Sequence, residues 1–139
     1  MKVIALSGAA DTGKSHTINI AYAFLLRDGY VQVPGNFRVL GNPEIEDFID
    51  ILEKDGKKVG FVGMGDYIIG PGQSLKSLLE ELESKGCDTA LCAARDLPRI
   101  LAAVQAYPDH IIIQKTLSTG EENHRIVNTN DAIVMINAI

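Results

Sequence analysis

Hydrophobic and polar positions along the chain alternate between short apolar runs and amphipathic stretches. "KVIAL" (Lys2 to Leu6) is an unbroken aliphatic run bounded by Ser7-Gly8, and it reads as a parallel strand buried on both faces. From Ser15 to Arg27 the apolar residues Ile18, Ala21, Tyr22 and Leu25 follow the i, i+3, i+4, i+7 spacing of an amphipathic helix, and Gly29 ends it. "YVQVPGNFRVLGNP" is turn-rich. Val31 and Val33, then Phe37 and Val39, alternate around Pro34-Gly35-Asn36, which predicts a small extended excursion.

The next piece fits two patterns. Asn42-Pro43 has the look of a helix start, and Ile45, Phe48, Ile49 and Leu52 have helical spacing. "FIDILEKDGKKVGFVGMGD" also reads as two strands around Asp55-Gly56, a strong hairpin signal, and the hairpin is the preferred reading. Its second strand, "KVGFVGMG" (Lys58 to Gly65), is apolar enough for the core. Ser74 to Lys85 predicts a helix, with leucines at 75, 78, 79 and 82 and Gly86 as its stop. "CDTALCAA" is a third core strand, Pro98 to Tyr107 a helix, and "HIIIQK" a fourth core strand. The polar run "STGEENHR" (Ser118 to Arg125) reads as a loop. "NDAIVMINAI" reads as a closing helix capped by Asn130.

Strands alternating with helices predict an α/β fold, three layers deep, with a mainly parallel central sheet and helices on both faces. No linker, repeat or low-complexity segment divides residues 1–139, so one domain is expected. In such sheets ligands sit beyond the carboxyl ends of the strands. That rule singles out the loops after Leu6, Met64 and Ala94.

Composition narrows the picture modestly. About 46% of residues are hydrophobic and 22% charged, ordinary for a globular protein. The net charge of −5, with no Lys/Arg run, speaks against a dedicated nucleic-acid binder. Cys87 and Cys92 fall in one apolar run. If that run is a strand, their odd spacing puts them on opposite faces, as buried free thiols suited to a reducing cytoplasm. No apolar run approaches membrane length and no leader is visible, so the expected location is cytoplasmic with no membrane partner.

The chemistry concentrates in "GAADTGKS", Gly8 to Ser15, a G-x-x-x-x-G-K-[S/T] pattern that follows a buried strand and opens a helix. Gly8 and Gly13 let the backbone turn through angles that a Cβ would forbid. Successive N–H groups then point into one concave nest for phosphate oxygens. The helix beginning near Lys14 adds the positive end of its dipole. The expected binding segment is therefore Gly8, Ala9, Ala10, Asp11, Thr12, Gly13, Lys14, Ser15 and His16. Thr12 is an added hydroxyl contact. Thr17 is either another contact or a cap on the first turn. His16 reads as packing or solvent-facing rather than as a base. His110 and His124 are dispersed.

Residues 2–28 resemble the first strand, loop and helix of the P-loop NTPase superfamily. The loop is its specific signature, and the rest of the chain resembles short bacterial and phage P-loop proteins only in general pattern. The resemblance implies a nucleoside-triphosphate site, with ATP favoured, and Mg²⁺. Lys14 would reach the β and γ phosphates and Ser15 would offer its hydroxyl to the ion. In that superfamily a second core strand ends in an Asp that orients the hydrated metal, and here "VGFVGMGD" ends in Asp66. A cap on the next turn is the plainer role for Asp66. Arg95, with Arg99 one turn on, follows the third core strand and would neutralise γ-phosphate charge or hold an anionic second substrate. A surface pairing of Arg95 with Asp96 or a neighbouring carboxylate is the alternative.

Some features depart from the pattern. No Glu follows Asp66, the D-x-x-G-like spacing to Gly70 is one residue too long, and "QKTL" (Gln114 to Leu117) stands where GTPases carry N-K-x-D. The leading expectation is Mg-dependent ATP binding with slow or partner-stimulated hydrolysis. A small-molecule kinase, with Asp66 near the acceptor and Arg95 or Arg99 as anion clamps, is the second. A non-catalytic nucleotide sensor is the third. A protein partner or self-association stays open.

Overall fold

The computed structural model describes residues 1–41, 47–63 and 74–139. The elements in order are β1 (Lys2–Gly8), α1 (Lys14–Arg27), β2 (Val31–Gln32), β3 (Arg38–Val39), β4 (Phe48–Lys54) and β5 (Lys57–Val62). They continue with α2 (Leu75–Ser84), β6 (Thr89–Arg95), α3 (Pro98–Gln105), β7 (His110–Gln114) and α4 (Glu121–Asn137). Asp66, Gly70 and the Asn42-Pro43 start lie outside the described residues.

The seven strands form one mixed sheet in the order β2-β4-β5-β6-β1-β7, with β3 also paired to β4. The pairs β5–β6, β6–β1 and β1–β7 are parallel, whereas β2, β3 and β5 all run antiparallel to β4. The expected α/β alternation with helices on both faces is present. The sheet differs from a mainly parallel one because the short excursion and the Asp55-Gly56 hairpin build an antiparallel wing on it. Asp55 and Gly56 have φ of 52° and 78°, the left-handed pair that a two-residue hairpin turn demands.

Alternation along β1 divides the core. Val3 and Ala5 pack with α2 and α3, while Ile4 and Leu6 pack with α1 and α4, and all four are fully buried. A central strand covered on both faces has no polar side to show, which explains the unbroken "VIAL" run. Helix α2 buries Leu75, Leu78, Leu79 and Leu82, each worth about 1.5–3 kcal/mol on full burial. Ser74 opens α2 through a reciprocal capping pair with Ser77. Leu82 lies so close to β5 that a Cβ on Gly60 would sit 2.7 Å from its Cδ1, so only glycine lets this helix seat at that depth.

Three expectations change. Helix α4 begins at Glu121, nine residues before Asn130, so "STGEENHR" is largely helical rather than a loop. Glu121 and Glu122 in the first turn favour the positive end of the helix dipole, and the buried side chains Asn128, Asp131, Ala132 and Met135 define its inner face. Cys87 lies before β6 rather than within it, so both thiols are buried in the same core rather than on opposite faces. Finally, β7 pairs with β1 at one end of the sheet order and is only partly covered, with Ile111 36% exposed, so it is an edge strand rather than a core strand. Among the described residues no helix is long and apolar enough to cross a membrane.

Candidate functional site

Because β5, β6, β1 and β7 are parallel, their carboxyl ends share one edge of the sheet. The glycine loop, residues 9–13, leaves β1 there and enters α1. Asp11 (φ 58°) and Gly13 (φ 91°) both take left-handed conformations, the turn geometry that directs neighbouring N–H groups into a concavity. Gly13 is also pressed by Asn128 of α4. A Cβ at Gly13 would meet Asn128 Oδ1 at 2.8 Å, so sterics and backbone angle both demand glycine.

The loop is closed from within. Thr12 Oγ1 donates to the Ala9 carbonyl at 2.8 Å, and Lys14 Nζ donates to the same carbonyl at 2.6 Å. Lys14 thereby lies across the loop and is only 6% exposed. Thr17 is buried, and its hydroxyl donates to the Gly13 carbonyl at 2.9 Å, the first-turn role rather than a ligand contact. Neither α1 nor α4 has a side-chain cap, but α1 carries no acidic residue in its first turn, whereas α4 has Glu121 and Glu122 there. The positive dipole end of α1 therefore has no anion supplied by its own first turn.

Ser15 Oγ donates to Asp47 Oδ1 at 2.7 Å and lies 3.3 Å from the Gly63 carbonyl at the end of β5. Asp47 is 3% exposed. It was absent from the sequence expectations because the carboxyl-end rule looks only at strand exits. Strand β4 runs the other way, so its entrance reaches the same edge. The available signal was the hairpin itself, since pairing β4 with β5 sets the residue before Phe48 beside Gly63.

Lys115 and Asp131 were likewise not foreseen as a pair. Lys115 Nζ lies 3.0 Å from Asp131 Oδ2, with side chains 0% and 8% exposed. Asp131 also accepts from the Thr116 backbone N–H at 2.9 Å and the Thr116 hydroxyl at 2.7 Å. Burial by itself raises the Asp131 pKa, but the hydrogen bonds from Thr116 and the Lys115 ammonium outweigh it and hold the carboxyl below its ordinary value. Lys115 N–H donates to the Ser7 carbonyl at 2.7 Å, and its Cβ would lie 3.0 Å from a Cβ on Gly8. The pair thus forms the floor beneath the glycine loop.

Arg95 ends β6 in register with Gly8, and Asp96 N–H donates to the Gly8 carbonyl at 3.2 Å. Among the described residues no carboxylate lies within ion-pairing distance of Arg95, so the Asp96 pairing is not formed. Arg99 is exposed in the first turn of α3.

Between the loop, α1 and the first half of α4 lies a cleft of about 850 Å³. Asp11, His16, Asn19, Leu117, Arg125 and Asn128 are among its walls. His16 is exposed there, as its solvent-facing reading requires. The segment expected to bind phosphate and the cleft are therefore contiguous, and the Arg95 backbone lies beside Gly8 at the start of that segment. Among the described residues, no group of three or more His, Cys, Asp or Glu side chains forms a preformed metal cage. Comparison with protein-family models, curated proteins and solved structures finds no match to the chain.

Proposed function

We propose that the chain is a P-loop-type nucleoside-triphosphate-binding protein, with ATP as its ligand and Mg²⁺ as its metal, that hydrolyses the nucleotide slowly or when a partner engages it. The observation that carries this reading is the glycine loop. It combines left-handed turns, an α1 N-terminus whose first turn holds no acid, and a lysine folded over the loop, and its residues Asp11, Thr12 and Gly13 line a cleft large enough for a nucleoside. The phosphates lie on the loop amides and the nucleoside extends toward α1 and α4. On binding, Lys14 exchanges the Ala9 carbonyl for phosphate oxygens. Ser15 offers a hard oxygen to the ion, which suits Mg²⁺. The bound ion supplies charge neutralisation of the phosphate oxygens.

Lys14→Ala tests the reading. Loss of a charge-assisted contact worth about 1.5–3 kcal/mol predicts a drop in ATP affinity of roughly 10- to 150-fold in calorimetry. ATP affinity equal to wild type in the folded variant would remove the phosphate-loop role. Phosphate release from Mg-ATP by the protein alone or with a partner marks a hydrolase. Turnover only with an added metabolite marks a kinase, and binding without turnover marks a sensor.

A further inference from the structure

We propose that Asp47 is the carboxylate that holds magnesium beside Ser15, an assignment that rests on the triphosphate reading and adds a residue to it. The topology brings Asp47 there. It immediately precedes β4, whose antiparallel pairing with β5 delivers its first residues to the edge where β5, β6 and β1 end. Gly63 N–H donates to the Phe48 carbonyl at 2.8 Å, which fixes the Asp47 backbone beside the end of β5. Ser15 Oγ, Asp47 Oδ1 and the Gly63 carbonyl then converge, with separations of 2.7 and 3.3 Å from Ser15 Oγ.

All three are hard oxygens. The Ser15–Asp47 hydrogen bond sets the Ser15 hydroxyl and one Asp47 carboxylate oxygen side by side, where both could face one ion. Magnesium takes one or two protein carboxylates and completes its shell with phosphate and water, so a single acid next to the phosphate loop is sufficient. A second acid, Asp50, also fastens β4 to α1. Two turns along α1, Tyr22 Oη already donates to the fully buried Asp50 at 2.7 Å. Gln32 and the Ile51 amide complete that carboxylate's bonding.

The experiment is ATP titration by calorimetry in EDTA and in excess Mg²⁺, for wild type, Asp47→Asn and Asp66→Asn, with melting curves to verify folding. In wild type, Mg²⁺ is expected to tighten ATP binding. Asp47→Asn is expected to lose tenfold or more of that increment while keeping its affinity in EDTA. Asp47→Cys provides a readout that a fastening role would not give: the increment disappears with Mg²⁺ and returns with Cd²⁺, because a thiolate prefers the softer ion. The native thiols do not compete, since Cys87 and Cys92 are buried in the core formed with α2 and α3. An unchanged magnesium increment in Asp47→Asn overturns the assignment, as does its loss in Asp66→Asn alone or a Cys variant indifferent to Cd²⁺. A wild type that binds no ATP with or without metal overturns the triphosphate reading, and this assignment with it.

Discussion

Replacing Asp131 with alanine is expected to cost about 3–5 kcal/mol of folding stability, because it strands a buried cation. The Lys115 side chain is 0% exposed, and its ammonium faces Asp131 at 3.0 Å and the Thr116 carbonyl at 2.8 Å. Truncation removes the charge partner and also leaves the Thr116 N–H and hydroxyl without their acceptor. Against an ordinary domain stability of about 5–15 kcal/mol, that is a large fraction. At roughly 2–4 °C per kcal/mol for a chain near this length, the melting temperature falls by about 6–20 °C. Urea denaturation at neutral pH measures the loss directly. Replacing both partners, Lys115→Met with Asp131→Leu, is expected to recover most of it, since no charge is then left buried. The Asp131 pKa is lower in the folded protein than in the unfolded chain. Its stabilisation is therefore complete above the ordinary aspartate range and fades as pH falls through the folded value, and Asp131→Asn should lack that acid limb. A cost under about 1 kcal/mol for Asp131→Ala, or a double variant no better than the single one, would refute the buried-pair reasoning.

Other expectations follow from single contacts. Arg95→Ala should lower turnover more than ATP affinity if the guanidinium meets charge that develops during transfer, and unchanged kinetics would remove it from the site. Glu81, held by Arg38 at 2.7 Å through both carboxylate oxygens, has its pKa lowered to about 2 chiefly by that hydrogen bond. Its contribution is present above pH 4.5 and lost toward pH 2, so Glu81→Gln should flatten stability across that window in acid titration melts. Gly60→Ala should destabilise by about 1–3 kcal/mol through overpacking against Leu82, and an unchanged urea midpoint would show that α2 shifts freely.

Local pattern by itself determined a good deal of this protein. The aliphatic run of β1, the spacing of α1 and α2, and the Asp55-Gly56 hairpin were legible because each depends on neighbours a few residues away. The loop from Gly8 to Ser15 was legible for the same reason, since turn, lysine and helix start are contiguous. The start of α4 was not. The polar residues Glu121 to Arg125 carry no apolar stripe, and the helix is held by its inner face against α1 and the glycine loop. Three placements belong to the tertiary structure alone. Asp47 reaches Ser15 across 32 positions because β4 runs against its neighbour. Asp131 meets Lys115 because α4 folds back over β7's exit. Gly8 lies beside Arg95 because β1 inserts between β6 and β7. Strand direction and sheet order are properties of long-range pairing, and hydrophobic periodicity carries no record of them.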